Sequence, residues 1–345
     1  MDFNKIKSFF SNIKINNIIS KIKINVLNFF ELTRAYALGV TFASCLIILS
    51  WAKFSEVFSY FNFFLLVFAL CCIHLGANLF DDLIDVCLKL KKGETLETIH
   101  FNTFNPKAAL IRNKTFSIKQ VIIIISVLFA LALLAGWYFV YIAGWEVAAY
   151  ALVGAILVLF YPISSKYCLS ELSIGLIYGP LMIMGGYWAV TAEFNQALFT
   201  LSLAIFSTAL TLLHTHNIMD YEFDIQEGKK TIPILLRDKE NSIYALKHLV
   251  ALPYIIIVLG VILGIFNPKM LLTFIALPIG INLIKSLEDY INIRDVKFQP
   301  VWYLGPFENW DNIKKMNIEF YMYRLYLARN FLFFFALFAA LGAIL

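Results

Sequence analysis

Charged residues are scarce in this chain of 345 residues. Asp, Glu, Lys and Arg together make up only 15% of it, whereas 61% is hydrophobic. A soluble globular protein is about half apolar and about one-quarter charged, because it needs a polar outer shell. The shortage of charge therefore argues against a soluble enzyme and a disordered chain, and it predicts an integral, multi-pass membrane protein.

Cysteine is also rare, and its spacing forms no motif. There are 5 cysteines, none in a Cys-x-x-Cys pair, and most lie in apolar runs. This pattern argues against a disulfide-rich secreted module, and the cysteines are interpreted as small core residues. Long basic runs are missing as well: the positive charge follows the ends of apolar segments, so nucleic acid is not expected as a partner.

Long apolar runs, by contrast, are abundant. About 20 apolar residues cross the hydrocarbon layer as a helix. We therefore expect an all-α fold, a polytopic membrane bundle of about nine transmembrane helices in contact with the lipid bilayer. The predicted spans are Tyr36–Trp51, Tyr60–Phe80, Val121–Tyr141, Val147–Tyr161, Leu172–Thr191, Ala197–Asn217, Leu249–Phe266, Met270–Ile284 and Arg329–Leu345.

Lysine and arginine are unevenly distributed between the connections. The connections after spans 1, 3, 5 and 7 contain only Lys53 and Lys269. The other 26 of the 28 such residues lie in the N-terminal segment and in the connections after spans 2, 4, 6 and 8. The positive-inside rule therefore predicts that the N terminus and the long loops are cytoplasmic. Loops as long as the one at 285–328 are often functional, with an interfacial packing loop as the alternative, so active-site loops are expected on the cytoplasmic side.

The chain is expected to divide into two parts. Residues 1–33 carry several lysines between apolar residues and lack the continuous apolar core of a signal peptide. They are predicted to form an amphipathic, basic segment on the membrane surface, with a frayed tail as the alternative. Residues 34–345 are predicted to form a single transmembrane domain.

The first of two acidic clusters closes span 2. Asn78, Asp82 and Asp85 follow one another at i, i+4 and i+7, so a helix places them on one face, with Asp81 beside them. Carboxylates this close repel each other, and they are costly to desolvate at the end of a bundle. A positively charged partner is therefore expected.

The second acidic cluster closes span 6, where Asn217, Asp220 and Asp224 are spaced at i, i+3 and i+7. Carboxylate and amide oxygens without thiolates favour Mg²⁺, which a protein usually holds through a few carboxylates and the phosphate oxygens of a substrate. We therefore predict a magnesium–phosphate site, with a proton or sodium pathway as the alternative. The predicted metal ligands are Asn78, Asp82, Asp85, Asp220 and Asp224.

At these residues the chain resembles the UbiA superfamily of intramembrane prenyltransferases. The first cluster is similar to the family's first aspartate-rich motif, and Asp220 with Asp224 is similar to its Asp-x-x-x-Asp motif. The resemblance covers nearly the whole chain from Arg34 onward. It implies that residues 34–345 are a single transmembrane prenyltransferase domain of nine spans.

Within that superfamily, three stretches resemble the branch that prenylates 1,4-dihydroxy-2-naphthoate. They are residues 32–35, 169–188 and 217–231, with Ala35, Ser170 and Met219 in place of the branch's usual proline, glycine and arginine. The resemblance implies Mg²⁺-dependent transfer of a polyprenyl group from prenyl diphosphate to this aromatic acceptor in menaquinone biosynthesis. Another acceptor, such as 4-hydroxybenzoate, and an ion-coupled transporter are the alternatives.

Further site residues follow from the two clusters and from the resemblance. Tyr161 resembles a family tyrosine near the reacting carbons, and Arg34 is a candidate for binding the acceptor carboxylate. Interfacial packing of the tyrosine and snorkelling of the arginine are the alternatives. The predicted catalytic residues are Tyr161, Asp82 and Asp220; the predicted substrate-binding residues are Arg34, Lys166, Glu171, Asn217, Lys229 and Lys230.

Overall fold

The computed structural model describes residues 28–95, 115–292 and 298–345. The predicted amphipathic segment at the N terminus therefore lies mostly outside the described residues. In the described ranges there is no β-strand, and nine helices are long and apolar enough to cross a membrane. This agrees with the predicted all-α bundle, and the protein is an integral, multi-pass membrane protein.

The helices are numbered in chain order, with three short ones between the spans. They are α1 (Ala35–Ala52), α2 (Tyr60–Lys91), α3 (Ile118–Ala143), α4 (Trp145–Ser164), α5 (Ser170–Thr191), α6 (Gln196–Met219), α7 (Tyr221–Gln226), α8 (Ile232–Leu235), α9 (Lys239–Ile262), α10 (Pro268–Ile291), α11 (Trp310–Lys315) and α12 (Glu319–Ile344).

Several helices extend beyond the predicted spans. The first acidic cluster lies inside α2, which continues to Lys91 instead of ending at Phe80. The last span begins at Glu319 and not at Arg329, because the buried Arg324 belongs to the helix. An estimate from hydropathy ends a span at the first charged residues. The helix itself can continue past them, because a bundle can bury charged side chains that form ion pairs or hydrogen bonds.

The second acidic cluster does not lie on one continuous helix, contrary to the prediction. α6 ends at Met219, Asp220 has φ −93° and ψ 9°, and α7 begins at Tyr221. Asn and Asp have low helix propensity in a helix interior, and the side chains of Asn217 and Asp220 bond to Glu171 and Tyr321, which lie outside α6. The cluster therefore spans the end of one helix, a break and the start of another.

α5 is interrupted where it packs against α6. Residues 177–181 form a π-type turn that contains Pro180, and Gly179 has φ −88° and ψ −106°. A Cβ atom at Gly179 would lie 2.8 Å from the backbone oxygen of Ser202 and 2.9 Å from the Cα of Phe206. Only glycine permits this approach, which brings α5 close to α6.

α12 lies inside the bundle, where it packs against α1, α6 and α10. By contrast, α3 exposes large apolar side chains, including Leu133, Trp137 and Tyr141. A helix that exposes such residues along its length suits contact with lipid. α12 therefore belongs to the interior of the bundle, and the exposed face of α3 is suited to lipid.

Candidate active site

A cavity of about 110 Å³ lies where the C-terminal ends of α2, α4 and α6 meet. Both acidic clusters contribute to its lining, although they are far apart in the sequence. The lining side chains include the carboxylates of Asp81, Asp85, Asp220, Asp224 and Glu227, the ammonium groups of Lys89 and Lys229, and the side chains of Tyr161, His216 and Asn217. The clusters thus form one site at one end of the bundle.

Arg34 is the positively charged partner of the first cluster. Its Nη2 lies 3.2 Å from Asp81 Oδ2 and 3.2 Å from Asp82 Oδ1. The same nitrogen donates to the backbone oxygen of Asn78 at 3.0 Å. Burial by itself would lower the pKa of Arg34, but the charges of Asp82 and Asp81 outweigh it and raise that pKa above its ordinary value. The guanidinium therefore stays charged and stabilises both carboxylates.

The face of α2 that lines the cavity differs from the predicted one. Of the three predicted residues, the structure places only Asp85 in the lining, and Asp81 and Lys89 join it at four-residue intervals. Asp82 is buried beside Arg34, and Asn78 Nδ2 donates to the backbone oxygen of Thr33 at 3.0 Å. Asn78 and Asp82 thus hold the segment before α1 against α2.

Asp220 and Asp224 are buried and are bound by different kinds of groups. Asp220 Oδ1 accepts a hydrogen bond of 2.9 Å from the hydroxyl of Tyr321, and its Oδ2 lies 3.4 Å from His216 Nδ1. Asp224 Oδ1 lies 2.7 Å from Lys229 Nζ. Burial raises the pKa of Asp224 above its usual range although Lys229 opposes the rise, so a further cation would be stabilised here.

Glu171 holds three segments of the site together. Its carboxylate is fully buried and accepts hydrogen bonds from Asn217 Nδ2 at 2.6 Å, from the backbone nitrogen of Ile232 at 2.9 Å and from Ser170 Oγ at 2.8 Å. Glu171 does not itself line the cavity. It fixes the start of α5, the end of α6 and the start of α8 relative to one another.

Only one of the three predicted substrate-binding lysines lines the cavity. Lys229 lines the cavity, whereas the side chains of Lys166 and Lys230 are exposed and lie outside the lining. Lys89 was not predicted, although its four-residue spacing from Asp85 is visible in the sequence. It lies 3.2 Å from Glu227 Oε1, an ion pair that joins the two halves of the cavity wall.

The donor groups suit Mg²⁺ more than they suit a softer metal. Carboxylates and an amide line the cavity, and no cysteine does. Within the described ranges, no group of three or more His, Cys, Asp or Glu could hold a metal ion alone. Mg²⁺ commonly keeps several waters and takes phosphate oxygens from its substrate, so a site with few protein ligands fits this ion.

Comparison with known sequences points to one family. The sequence profile of the UbiA prenyltransferase family matches residues 40–289. The 1,4-dihydroxy-2-naphthoate octaprenyltransferase of Bacillus subtilis (strain 168) is 26% identical over 263 residues, which cover 74% of this chain and 80% of that protein. The profile match includes both acidic clusters and ends before α12 begins.

Solved structures share the fold. A digeranylgeranylglyceryl phosphate synthase superposes with a TM-score of 0.56 at 17% identity, covering 92% of this chain and 98% of that one. A UbiA homolog from Archaeoglobus fulgidus bound to DMAPP and Mg²⁺ gives a TM-score of 0.56 at 16% identity, with coverage of 88% and 98%. At these identities the likeness establishes the architecture.

Proposed function

Because the chain belongs to the UbiA prenyltransferase family, we propose that this membrane-embedded prenyltransferase transfers a polyprenyl group from prenyl diphosphate to an aromatic acceptor, and that it requires Mg²⁺. The acceptor that we propose is 1,4-dihydroxy-2-naphthoate, in menaquinone biosynthesis, because of the likeness to the Bacillus subtilis octaprenyltransferase. One observation carries the proposal: two acidic clusters from distant parts of the chain line a single cavity at the end of an apolar bundle.

Mg²⁺, when bound, neutralises the charge of the diphosphate and makes it a better leaving group. We propose that Asp81, Asp85, Asp220 and Asp224, which line the cavity, hold the ion. The other two predicted ligands, Asp82 and the amide of Asn78, lie just outside the lining beside the segment of Arg34, and we propose that they complete the site. The raised pKa of Asp224 supports this assignment, since burial leaves that carboxylate with too little positive charge nearby. Arg34 neutralises part of the charge of the first cluster before any ion binds.

The lysines of the cavity are proposed to bind the diphosphate. Lys229 and Lys89 both line the cavity. Each is already paired with a carboxylate, Asp224 and Glu227 respectively, that Mg²⁺ could bind instead. Lys166 and Lys230 lie outside the lining, where we propose that they attract the anionic substrate from solution. Asn217 supplies an amide that can bind a diphosphate oxygen while Glu171 fixes its orientation.

The reaction breaks the C–O bond of the prenyl diphosphate and forms a C–C bond to the acceptor ring. The ring of Tyr161 lines the cavity and would stabilise positive charge on the allylic carbons. Pro162, Leu213 and Phe223 supply apolar surface that excludes water from that charge. The diphosphate leaves with the electron pair of the C–O bond. With the proposed naphthoate, bound as its carboxylate, loss of CO₂ returns an electron pair to the ring and restores its aromaticity.

Arg34 is proposed to bind the acceptor carboxylate as well as the first cluster. Its Nη2 is committed to Asp81, Asp82 and Asn78. Its Nε is buried and makes no hydrogen bond within the described ranges, so that N–H group remains for an acceptor oxygen. The distribution of lysine and arginine further supports a cavity that opens on the cytoplasmic side.

The test is prenyl transfer by the purified protein in detergent with radiolabelled geranylgeranyl diphosphate, 1,4-dihydroxy-2-naphthoate and Mg²⁺. We expect a prenylated lipid product that disappears with EDTA and falls by a factor of about 100 or more in Asp220→Asn. Asp311→Asn, at an exposed position on α11, is the matched control and should retain activity. Product with 4-hydroxybenzoate alone would reassign the acceptor, and no product with any acceptor would contradict the proposal.

A further inference from the structure

Tyr321 contributes to the site from a helix that the family profile does not reach. It lies in the first turn of α12, whereas the match ends at residue 289. The side chain is 1% exposed, and its hydroxyl donates to Asp220 Oδ1 at 2.9 Å. The same hydroxyl lies 3.3 Å from His216 Nε2. Tyr321 of α12 and His216 of α6 therefore both contact the carboxylate of Asp220, which lies at the break between α6 and α7.

Asp220 lies at the break between α6 and α7, where its φ is −93° and its ψ is 9°. Its amide donates to the backbone oxygen of His216 at 3.0 Å and its carbonyl accepts from the amide of Asp224 at 2.8 Å. The backbone is therefore held, and the direction of the carboxylate depends on its side-chain partners. A hydroxyl has a single hydrogen to donate, and an ionised carboxylate is a stronger acceptor than an imidazole nitrogen. The hydrogen bond from Tyr321 therefore restrains the carboxylate of Asp220 from outside its own segment.

The start of α12 is itself held in place. Arg324, one turn after Tyr321, is buried and donates to the backbone oxygen of Ser286 on α10 through Nε at 2.9 Å and Nη2 at 2.7 Å. Its Nη1 donates to the backbone oxygen of Phe320. α12 also packs against α1 and α6. The hydroxyl of Tyr321 is thus presented by a rigid support.

We propose that Tyr321 is a positioning residue: it orients Asp220 for the divalent cation of the diphosphate site, so that α12 completes the active site. The inference rests on the proposed function. A neutral hydroxyl suits this role, because it orients the carboxylate without cancelling the charge that attracts the cation. This differs from the first cluster, where Arg34 supplies a full positive charge.

A purely structural role is the competing explanation, since most buried hydroxyl groups make a hydrogen bond whether or not they serve a site. The chain offers a matched control. Tyr254, on α9, is buried and packs against Phe331 and Phe335 of α12 with ring centroids 6.2 and 5.5 Å away. Its hydroxyl makes no hydrogen bond within the described ranges. Tyr321→Phe and Tyr254→Phe therefore remove the same atom from two buried tyrosines, one on α12 and one on α9 against α12.

The experiment measures cation binding directly. Wild type, Tyr321→Phe and Tyr254→Phe, in lipid nanodiscs with inorganic pyrophosphate, are titrated with Mn²⁺ and followed by electron paramagnetic resonance. We expect the half-saturating Mn²⁺ concentration to rise about ten-fold in Tyr321→Phe and to stay at the wild-type value in Tyr254→Phe. In the transfer assay, saturating Mg²⁺ should restore most of the kcat of Tyr321→Phe.

Equal Mn²⁺ titrations for all three proteins would overturn the positioning role, as would a loss of thermal stability in Tyr321→Phe with unchanged cation binding. The proposed function fails in a distinguishable way. Wild-type protein that binds Mn²⁺ with the expected difference between the variants, yet transfers no prenyl group, would contradict the reaction and leave the role of Tyr321 intact. Transfer without any bound cation would contradict the role and leave prenyl transfer standing.

Discussion

The two acidic clusters line the same cavity but are stabilised by different means. The first lies within the uninterrupted helix α2, and a single guanidinium, that of Arg34, contacts two of its carboxylates. The second spans a break between α6 and α7. A neutral hydroxyl from α12 contacts Asp220, and the ammonium of Lys229 contacts Asp224.

The difference separates two requirements of a site rich in carboxylates. Buried like charges need compensation, which Arg34 supplies to Asp81 and Asp82. Carboxylates on an irregular segment need orientation instead, which Tyr321 and the hydrogen-bond network of Glu171 supply to Asp220 and Asn217. Removing the charge partner should therefore lower stability, and removing an orienting group should mainly lower function.

The largest expected effect is that of Arg34→Met. The substitution leaves Asp81 and Asp82 buried without the guanidinium, and breaking a buried ion pair costs about 3 to 5 kcal/mol. Because the Arg34 side chain is still 19% exposed, we expect about 3 kcal/mol, measured as a loss of thermal stability in EDTA. Mg²⁺ should restore part of it, because the ion replaces the lost positive charge.

Lys247→Met is the control for that substitution. It removes the ion pair between Lys247 and Glu288, whose side chains are 46% and 41% exposed, and such a pair is worth less than about 1 kcal/mol. If Arg34→Met unfolds at the same temperature as Lys247→Met, with or without Mg²⁺, the first cluster does not depend on the charge of Arg34.

A smaller effect is expected from Glu171→Gln, which disturbs the orientation of the second cluster. Three donors converge on this buried carboxylate. Glutamine can keep its oxygen on Asn217 Nδ2 and on the backbone nitrogen of Ile232, while its NH₂ group faces Ser170 Oγ, which must then accept instead of donate. The neutral amide oxygen is a weaker acceptor than the carboxylate, so it holds Asn217 less firmly. Prenyl transfer should fall about ten-fold as Asn217 shifts. Glu193→Gln, at an exposed position between α5 and α6, should leave the rate unchanged; equal rates for both variants would refute the role of Glu171.

Much of the architecture follows from local properties of the sequence. Hydropathy identifies nine apolar segments, and the spacing of Asp85, Asp220 and Asp224 identifies residues that line the cavity. These features can be predicted because each depends only on residues close together in the sequence, within one span or one helix end. The break at Asp220 could not, since the helical spacing of the second cluster is compatible with an unbroken helix.

The residues that bind the two acidic clusters are harder to predict from the sequence. The need for a positive charge near the first cluster can be predicted, but the choice of Arg34 depends on the packing of the segment before α1 against α2. Tyr321 is about 100 residues from Asp220 in sequence, and hydropathy places it in a loop. Contacts of this kind are set by the packing of whole helices, which no local pattern reports.

The smallest effect concerns the acid sensitivity of the second cluster. Burial raises the pKa of Asp224, and the ammonium of Lys229, 2.7 Å from Asp224 Oδ1, opposes that rise. In Lys229→Met the pKa of Asp224 should therefore rise further, so the carboxylate is protonated at a pH where it is ionised in the wild type. A protonated carboxylate does not bind a divalent cation. The acidic limit of Mn²⁺ binding, titrated without diphosphate, should therefore move to higher pH in Lys229→Met.

Two control variants should keep the wild-type limit: Lys229→Arg, which retains the positive charge, and Lys230→Met, because the Lys230 side chain is exposed. An unchanged limit in Lys229→Met would mean that Asp224 is not the carboxylate whose protonation ends cation binding, and the first cluster would then have to set the acidic limit.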